Sequence, residues 1–281
     1  MYSFKKSKLA VLLIITMVVM VAIVGCSKSA EKATDTGKLS GTVKVAGSTS
    51  VQPLVEELGD AFMEKNTDVT ISVQGGGSSA GVESTDKGTA EIGTSSREIK
   101  SEEKAYGLTE TIIAKDGIAV VVNDKNPIPE LKMDQLKKIF SGEVKDWSEV
   151  GGAKGPITVV TREEGSGTRS AFEEIVLGKG GKFIANAIVQ NTTGAIKTSV
   201  TKDVNAIGFL SLGSVDSAIK SLKIDGVSPS EATVLDGSYK ISRPFLFLTK
   251  GQPQAAAKAF IDFVLSTEGQ KIVSEKYVKV K

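Results

Sequence analysis

Four short segments of this sequence combine glycine with serine, threonine or arginine, and they carry the chemistry of most interest. Serine and threonine hydroxyls donate hydrogen bonds, and glycine lets backbone N–H groups approach a ligand closely. Three of the segments lead directly into predicted helices, whose N-terminal N–H groups and dipole favour an anion. The segments are Gly47-Ser48-Thr49-Ser50, Gly75-Gly76-Gly77-Ser78-Ser79, Thr94-Ser95-Ser96-Arg97 and Arg162-Glu163-Glu164-Gly165-Ser166-Gly167-Thr168.

Any one of these segments could simply cap a helix, because serine and threonine are common N-cap residues. Four in one chain favour a shared site, since loops that follow the strands of an open α/β sheet converge at the carboxyl ends of those strands. Arg97 and Arg162 add guanidinium groups, which can bind a tetrahedral oxyanion through two hydrogen bonds at once. Of the two carboxylates beside Arg162, we expect Glu164 to hold the guanidinium in position.

The elements that position these segments alternate between short apolar strands and amphipathic helices, which is typical of an α/β sheet covered on both faces. We expect the strand over 112–123 to be interrupted at Asp116 and Gly117, and the strand over 242–249 to be broken by Pro244. The other predicted strands cover 42–46, 69–73, 90–93, 157–161 and 206–210. The predicted helices cover 51–65, 80–86, 133–140, 171–176 and 254–276.

The first 40 residues indicate export and anchoring rather than a folded domain. Lysines precede an apolar run over 9–24, which is typical of a signal peptide and short for a membrane span. The segment Ile23-Val24-Gly25-Cys26 resembles the lipobox of bacterial lipoproteins, where cleavage precedes a lipidated cysteine. We therefore expect a signal peptide over 1–25, a lipid anchor on Cys26, a flexible tether over 26–40 and a location on the extracytoplasmic face of the cell membrane. A stray cysteine in a signal sequence is the alternative.

The composition argues against an enzyme. The chain has no histidine and its one cysteine is Cys26, which excludes Ser-His-Asp triads, HExxH zinc sites and most general-base schemes. A serine phosphatase or esterase with Ser166 as nucleophile would lack both the G-x-S-x-G motif and a base. The P-loop motif is absent from the sequence, and the glycines at 75–77 are a weak dinucleotide fingerprint. A formal charge of +2 gives no reason to expect nucleic acid, and we expect no metal and no cofactor.

Five motifs occur in the order and spacing of a known family: VAGSTS at 45–50, QGGGSSAG at 74–81, IGTSSRE at 92–98, AKDGIAV at 114–120 and REEGSGT at 162–168. Through them, and over essentially all of the sequence beyond the tether, the chain resembles the phosphate-binding proteins of bacterial phosphate ABC transporters. The resemblance implies phosphate contacts from Ser48, Thr49, Ser50, Ser78, Ser96, Arg162, Ser166, Gly167 and Thr168. A Gram-negative branch of the family has an aspartate after the serine of the third loop, where this chain has Arg97. We therefore take Asp116 as the candidate hydrogen-bond acceptor, and we count Arg97 and Asp116 among the predicted phosphate-binding residues. The alternative is that Asp116 merely ends a strand or pairs with Arg97.

The same resemblance implies a two-lobed α/β fold of the type II periplasmic-binding-protein kind, which closes on its ligand. We expect one lobe over 41–118 and 243–281 and the other over 119–242, with two strands crossing the hinge between them. The implied function is capture of inorganic phosphate and its delivery to the permease subunits of an ABC importer, by a monomer that catalyses nothing. Another oxyanion such as sulfate or molybdate remains an alternative ligand, and a purely adhesive surface lipoprotein remains an alternative function.

Overall fold

The computed structural model describes residues 38–280, so the predicted leader, Cys26 and most of the predicted tether lie outside the described residues. The strands, in chain order, are β1 Gly41–Gly47, β2 Val69–Gly75, β3 Ile92–Ser95, β4 Leu108–Asn123, β5 Glu130–Leu131, β6 Thr158–Arg162, β7 Ile188–Gln190, β8 Ala206–Ser211, β9 Ile219–Ser221, β10 Lys223–Ile224 and β11 Ser242–Lys250. The α-helices are α1 Gln52–Lys65, α2 Ser78–Asp86, α3 Met133–Ser141, α4 Gly167–Phe172, α5 Thr193–Lys202, α6 Glu231–Leu235, α7 Ala255–Val264 and α8 Thr267–Val273.

A mixed sheet runs through the described residues in the order β2-β1-β3-β11-β4-β8-β6-β7, with β9 also paired to β4. Strand β1 is parallel to β2 and β3, and β6 is parallel to β7 and β8. The long strands β4 and β11 run antiparallel to each other between these two parallel groups. Because the carboxyl ends of parallel strands share one edge, each group brings its loops together at one end of the sheet.

The two largest hydrophobic cores of the described residues lie on either side of the middle of β4. The first packs β1, β2 and β11 against α1 and α7 and includes Phe62. The second packs β6 and β8 against α3 and α4, and the rings of Phe172 and Phe209 stack there with centroids 4.0 Å apart. Strand β4 contributes to both cores, because it pairs with β11 as far as Gly117 and with β8 from Ile118 onward. This is the two-lobed α/β architecture predicted from the sequence.

Three local predictions are wrong. Strand β4 continues through Asp116, whose charge is paired across the ladder, and β11 continues through Pro244. The predicted helix over 254–276 is two helices, because Ser266 starts a new one by accepting a hydrogen bond from the Gly269 N–H at 3.2 Å. The strands continue through Asp116 and Pro244 because pairing with the neighbouring strand holds both residues in register.

Candidate anion-binding site

The hydroxyls that follow β1 and β3 meet the first hydroxyl of α2 in a buried cluster. Ser48, Ser78 and Ser96 each expose 3% of their surface or less. The Ser48 hydroxyl donates to Ser96 Oγ at 2.9 Å, and the Ser96 backbone N–H donates to Ser78 Oγ at 3.0 Å. The register places Gly47 beside Thr94, so β1 and β3 end side by side and their loops must converge. The structure thus brings together the first three segments singled out in the sequence.

A second set of hydroxyls joins the loop after β1 to the first residues of α4 and α5. Ser50 Oγ lies 2.8 Å from Thr168 Oγ1 and 3.0 Å from Thr193 Oγ1. The Thr193 backbone N–H donates to Thr49 Oγ1 at 3.3 Å. These residues lie at the N-terminal ends of α1, α4 and α5, so three helix N-termini face one region. The positive ends of helix dipoles and the unpaired first-turn N–H groups favour an anion at such a point.

Arg162 supplies positive charge at the carboxyl end of β6 and is 2% exposed. Its Nη2 donates to Thr49 Oγ1 at 3.1 Å, and its Nη1 donates to Thr193 Oγ1 at 3.4 Å. Nε and Nη2 also donate to the two carboxylate oxygens of Glu163, both at 2.9 Å. Our expectation that Glu164 holds this guanidinium is therefore wrong, because the neighbouring Glu163 side chain reaches its Nε–Nη2 edge directly.

Two glycines allow the loop before α2 to touch the loop before α4. A Cβ atom on Gly167 would collide with Ser78 Oγ. Gly77 has φ +91°, and a Cβ there would lie 2.9 Å from the carbonyl oxygen of Gly165. Next to it, the Ser79 N–H donates to the same carbonyl oxygen at 3.1 Å. Side chains at these two positions would hold the loops apart.

Ser166 has a structural role that does not exclude a binding role. Its Oγ caps α4 by accepting a hydrogen bond from the Arg169 N–H at 3.2 Å, and the residue is 1% exposed. A hydroxyl that accepts one hydrogen bond can still donate its own proton. Ser166 therefore remains a predicted phosphate contact.

Arg97 has a carboxylate partner of its own. Its Nη1 and Nη2 donate to the two carboxylate oxygens of Glu103 at 2.7 and 2.6 Å, and Nη2 also lies 3.3 Å from Ser79 Oγ. Burial raises the pKa of Glu103, but hydrogen bonds from Arg97 and the Lys100 N–H outweigh it and bring the pKa below its ordinary value. These contacts fix the loop that carries Ser96. Direct contact between Arg97 and an anion stays a prediction.

Asp116 lies in the middle of β4 and is 1% exposed. Its Oδ2 accepts hydrogen bonds from Nη2 and Nε of Arg243 at 3.0 and 3.3 Å, and its Oδ1 accepts one from Ser211 Oγ at 3.0 Å. Burial raises the pKa of Asp116 to about 6, although Arg243 and Ser211 lower it. Both oxygens are engaged by the protein, which favours a counter-charge role for Asp116. The acceptor role toward phosphate stays a prediction.

Thr193 and Arg243 are not among the residues predicted from the sequence. The segment before α5 follows the same pattern as the other loops, with Thr192 Oγ1 accepting from the Ala195 N–H at 3.0 Å. That segment is hard to predict as a strand-terminal loop because the preceding strand, β7, has only three residues. Arg243 could have been found because it is a charged residue inside a mostly apolar strand, and arginine is rarely buried unless it is paired.

Features elsewhere in the described residues give no second candidate of this kind. Over residues 38–280, no group of three or more Cys, His, Asp or Glu side chains could hold a metal ion. Within the same range, every helix is too short or too polar to cross a bilayer. Open surface cavities lie away from the hydroxyl cluster, one of them bounded by Leu131, Val150 and Asp225.

Known proteins resemble this chain over most of its length. A profile of the PBP superfamily domain matches residues 32–268. The phosphate-binding protein PstS of Bacillus subtilis is 34% identical, over 98% of this chain and 95% of its own. Among solved structures, a Clostridium perfringens protein described as a phosphate ABC transporter substrate-binding protein with bound phosphate is 44% identical, has a TM-score of 0.84, and covers 86% of this chain and 100% of its own. An ABC-type phosphate transport receptor from Vibrio cholerae is 34% identical with a TM-score of 0.70, over 84% of this chain and 99% of its own. The resemblance inferred from the motifs is confirmed, and the chain belongs to the family of phosphate-binding proteins of phosphate ABC transporters, within the PBP superfamily.

Proposed function

We propose that this protein captures inorganic phosphate between its two lobes and delivers it to the permease subunits of an ABC importer. The observation that carries the proposal is the convergence of buried hydroxyls and one buried guanidinium at three helix N-termini. Within it, Ser50 Oγ and Thr168 Oγ1, which belong to different proposed lobes, lie 2.8 Å apart. The relatives named above are phosphate-binding proteins, and one of them was solved with phosphate bound.

The cluster suits a small tetrahedral oxyanion. Its hydroxyls and first-turn N–H groups are neutral donors, and Arg162 adds charge that Glu163 already balances. Charge-assisted hydrogen bonds in a buried site are stronger than those between neutral groups. The proposed phosphate contacts are Ser48, Thr49, Ser50, Ser78, Ser96, Arg97, Asp116, Arg162, Ser166, Gly167 and Thr168.

We also infer that the protein binds and does not catalyse. In a serine phosphatase or esterase, Ser166 would be the nucleophile. Its Oγ instead accepts a hydrogen bond from the Arg169 N–H. A serine nucleophile requires a neighbouring general base, and the sequence has no histidine. Two of the relatives named above are described as a substrate-binding protein and a receptor of ABC-type phosphate transport.

Calorimetry tests the proposed ligand. Titration of the full-length protein in detergent with phosphate, sulfate and molybdate should give saturable binding of one phosphate per chain and much weaker binding of the other two. Tighter binding of sulfate or molybdate than of phosphate would show that phosphate is not the preferred ligand. No binding of any of the three would favour the adhesive alternative.

We propose that Cys26 carries the lipid anchor and that the segment after it is a tether. The motif at 23–26 and the single cysteine of the chain support this. Cys26→Ser should release the protein from the membrane fraction and remove the mass of the lipid, because the thioether bond can no longer form. Phosphate affinity should not change, since the described site lies beyond the tether. A Cys26→Ser protein that stays in the membrane fraction with unchanged mass would contradict the anchor.

We further propose that the lobes span 41–118 with 243–281 and 119–242, and that the protein is a monomer that closes about β4 and the start of β11. The separate hydrophobic cores on either side of the middle of β4 support these bounds. Small-angle scattering with and without phosphate should give the mass of one chain and a smaller radius of gyration when phosphate is bound. An unchanged radius would argue against closure.

A further inference from the structure

Two buried polar atoms on strands β6 and β11 have no hydrogen-bond partner among the described residues. They are Arg243 Nη1 and Thr161 Oγ1, on residues that are 3% and 1% exposed. Arg97 Nε is a third such atom in the described range. Folded proteins rarely leave buried donors unpaired, because each loses its hydrogen bonds to water without replacement. Each of these unpaired donors therefore calls for an explanation.

Arg243 projects from the face of the sheet that carries α1 and α4. It pairs in register with Asp116, so the two side chains lie on one face. Two residues along the strands, Ala114 and Phe245 pack in the core that contains α1, and on the other side Ile118 packs in the core that contains α4. Side chains two apart in a strand share a face. Arg243 and Asp116 therefore lie between the two cores, on the face shared by α1 and α4.

Thr161 projects from the same face in the other lobe. Val159, two residues earlier in β6, packs in the core that contains α4. The N-terminal ends of α1 and α4 supply Ser50 and Thr168, whose hydroxyl oxygens are 2.8 Å apart. The two unpaired atoms therefore lie on the side of the sheet where the loops of both lobes meet.

The ion pair leaves one edge of the Arg243 guanidinium available. Nε and Nη2 form the edge that faces Asp116 Oδ2, at 3.3 and 3.0 Å, and Nη1 lies on the other side of the group. Burial lowers the pKa of Arg243, Asp116 opposes that effect, and the positive charge of Arg162 lowers the pKa further. The two guanidinium groups are thus close enough to repel each other, and an anion bound between them would relieve that repulsion.

We propose that Arg243 is a second anion-binding guanidinium of this site, with Nη1 donating to the bound oxyanion and the Thr161 hydroxyl beside it on the floor of the site. Asp116 also positions this residue, because it holds the other edge of the guanidinium. The proposal rests on the proposed function in phosphate capture and adds a residue to it that none of the five sequence motifs contains.

The experiment compares two variants that both lack the carboxylate and differ in the guanidinium. Asp116→Asn keeps Arg243, and Asp116→Asn with Arg243→Gln replaces the ion pair by two amides of similar size. Full-length proteins are titrated with phosphate and with sulfate by calorimetry, and their thermal unfolding is followed by circular dichroism. We expect the double variant to bind phosphate at least ~10-fold more weakly than Asp116→Asn, the loss that removal of one charge-assisted contact produces. Residual sulfate binding should fall by a similar factor, because a guanidinium attracts either anion.

Thr161→Val gives an independent measurement on the same floor. Valine has the shape of threonine without the hydroxyl, so folding should be retained and phosphate affinity should fall several-fold. Equal phosphate dissociation constants for Asp116→Asn and the double variant, with both folded, would overturn the role of Arg243. Unchanged affinity in Thr161→Val would remove Thr161 from the floor. Failure of the wild-type protein to bind phosphate would instead overturn the proposed function, so the two failures are distinguishable.

Discussion

Replacing Arg162 by glutamine should weaken phosphate binding strongly and change the fold little. The guanidinium is 2% exposed, so its charge acts on a bound anion with little screening by water. It donates to Thr49 and Thr193 and is held by Glu163, so the change removes both a charge and the group that orients two hydroxyls. Loss of one buried charge-assisted contact costs about 2–4 kcal/mol, or roughly 30- to 1000-fold in the dissociation constant.

The assay is a calorimetric titration of wild type and Arg162→Gln with phosphate at one pH and salt concentration, with thermal unfolding measured in parallel. Lys197→Gln is the matched control, because it removes one positive charge from the same lobe at an exposed ion pair with Asp216. The control should bind phosphate like the wild type. An Arg162→Gln protein with unchanged affinity would show that Arg162 is not in the site, and an equal loss in Lys197→Gln would show that only net charge matters.

Other substitutions test the packing and the charges of the site. Gly167→Ala should reduce phosphate affinity at least ~10-fold because the added Cβ collides with Ser78 Oγ, whereas Gly194→Ala, where a Cβ meets nothing within 4 Å, should bind as the wild type does. If Asp116 accepts a hydrogen bond from the protonated oxygen of phosphate, Asp116→Asn should lower the ratio of phosphate to sulfate affinity by ~10-fold or more. An unchanged ratio would show that Asp116 is only a counter-charge. The pKa of Asp116 is raised to about 6 in the folded state, so its contribution to stability is present below the ordinary aspartate pKa and is lost as the pH rises through about 6. Between about pH 4 and about pH 7.5 the wild type should therefore lose about 2 kcal/mol more of its unfolding free energy than Asp116→Asn, as measured by chemical denaturation.

The loops and the longer elements were predictable because their signals are local. Glycine and hydroxyl residues before an amphipathic run indicate a helix start near an anion, and the sheet topology then brings those starts together. The sequence predicted Ser50 and Thr168 independently, and they lie 2.8 Å apart in the structure. The five motifs also match one family in their order and spacing along the chain, and the comparisons confirmed that family.

The partners of charged groups could not be predicted from local pattern. Glu163 and Glu164 are adjacent and identical in type, so only the path of the backbone decides which one reaches Arg162. Arg97 pairs with Glu103 and Asp116 pairs with Arg243, which lies 127 residues away in the sequence. Both pairings depend on which chain segments the fold brings together, and no spacing rule encodes that.

These pairings determine how charge is arranged around the site. Arg162 and Arg243 each carry a carboxylate partner, Glu163 and Asp116, so neither guanidinium is buried as an isolated charge. A buried cation without a partner would cost several kcal/mol in the absence of ligand, whereas a paired one keeps its remaining N–H groups oriented at little further cost. The anion would then meet donors that are already in place. Its binding free energy would come from hydrogen bonds to these donors, including charge-assisted ones, rather than from the net charge of the protein. Affinity should accordingly depend more on substitutions that move a donor, such as Gly167→Ala, than on charges in surface ion pairs, such as Lys197.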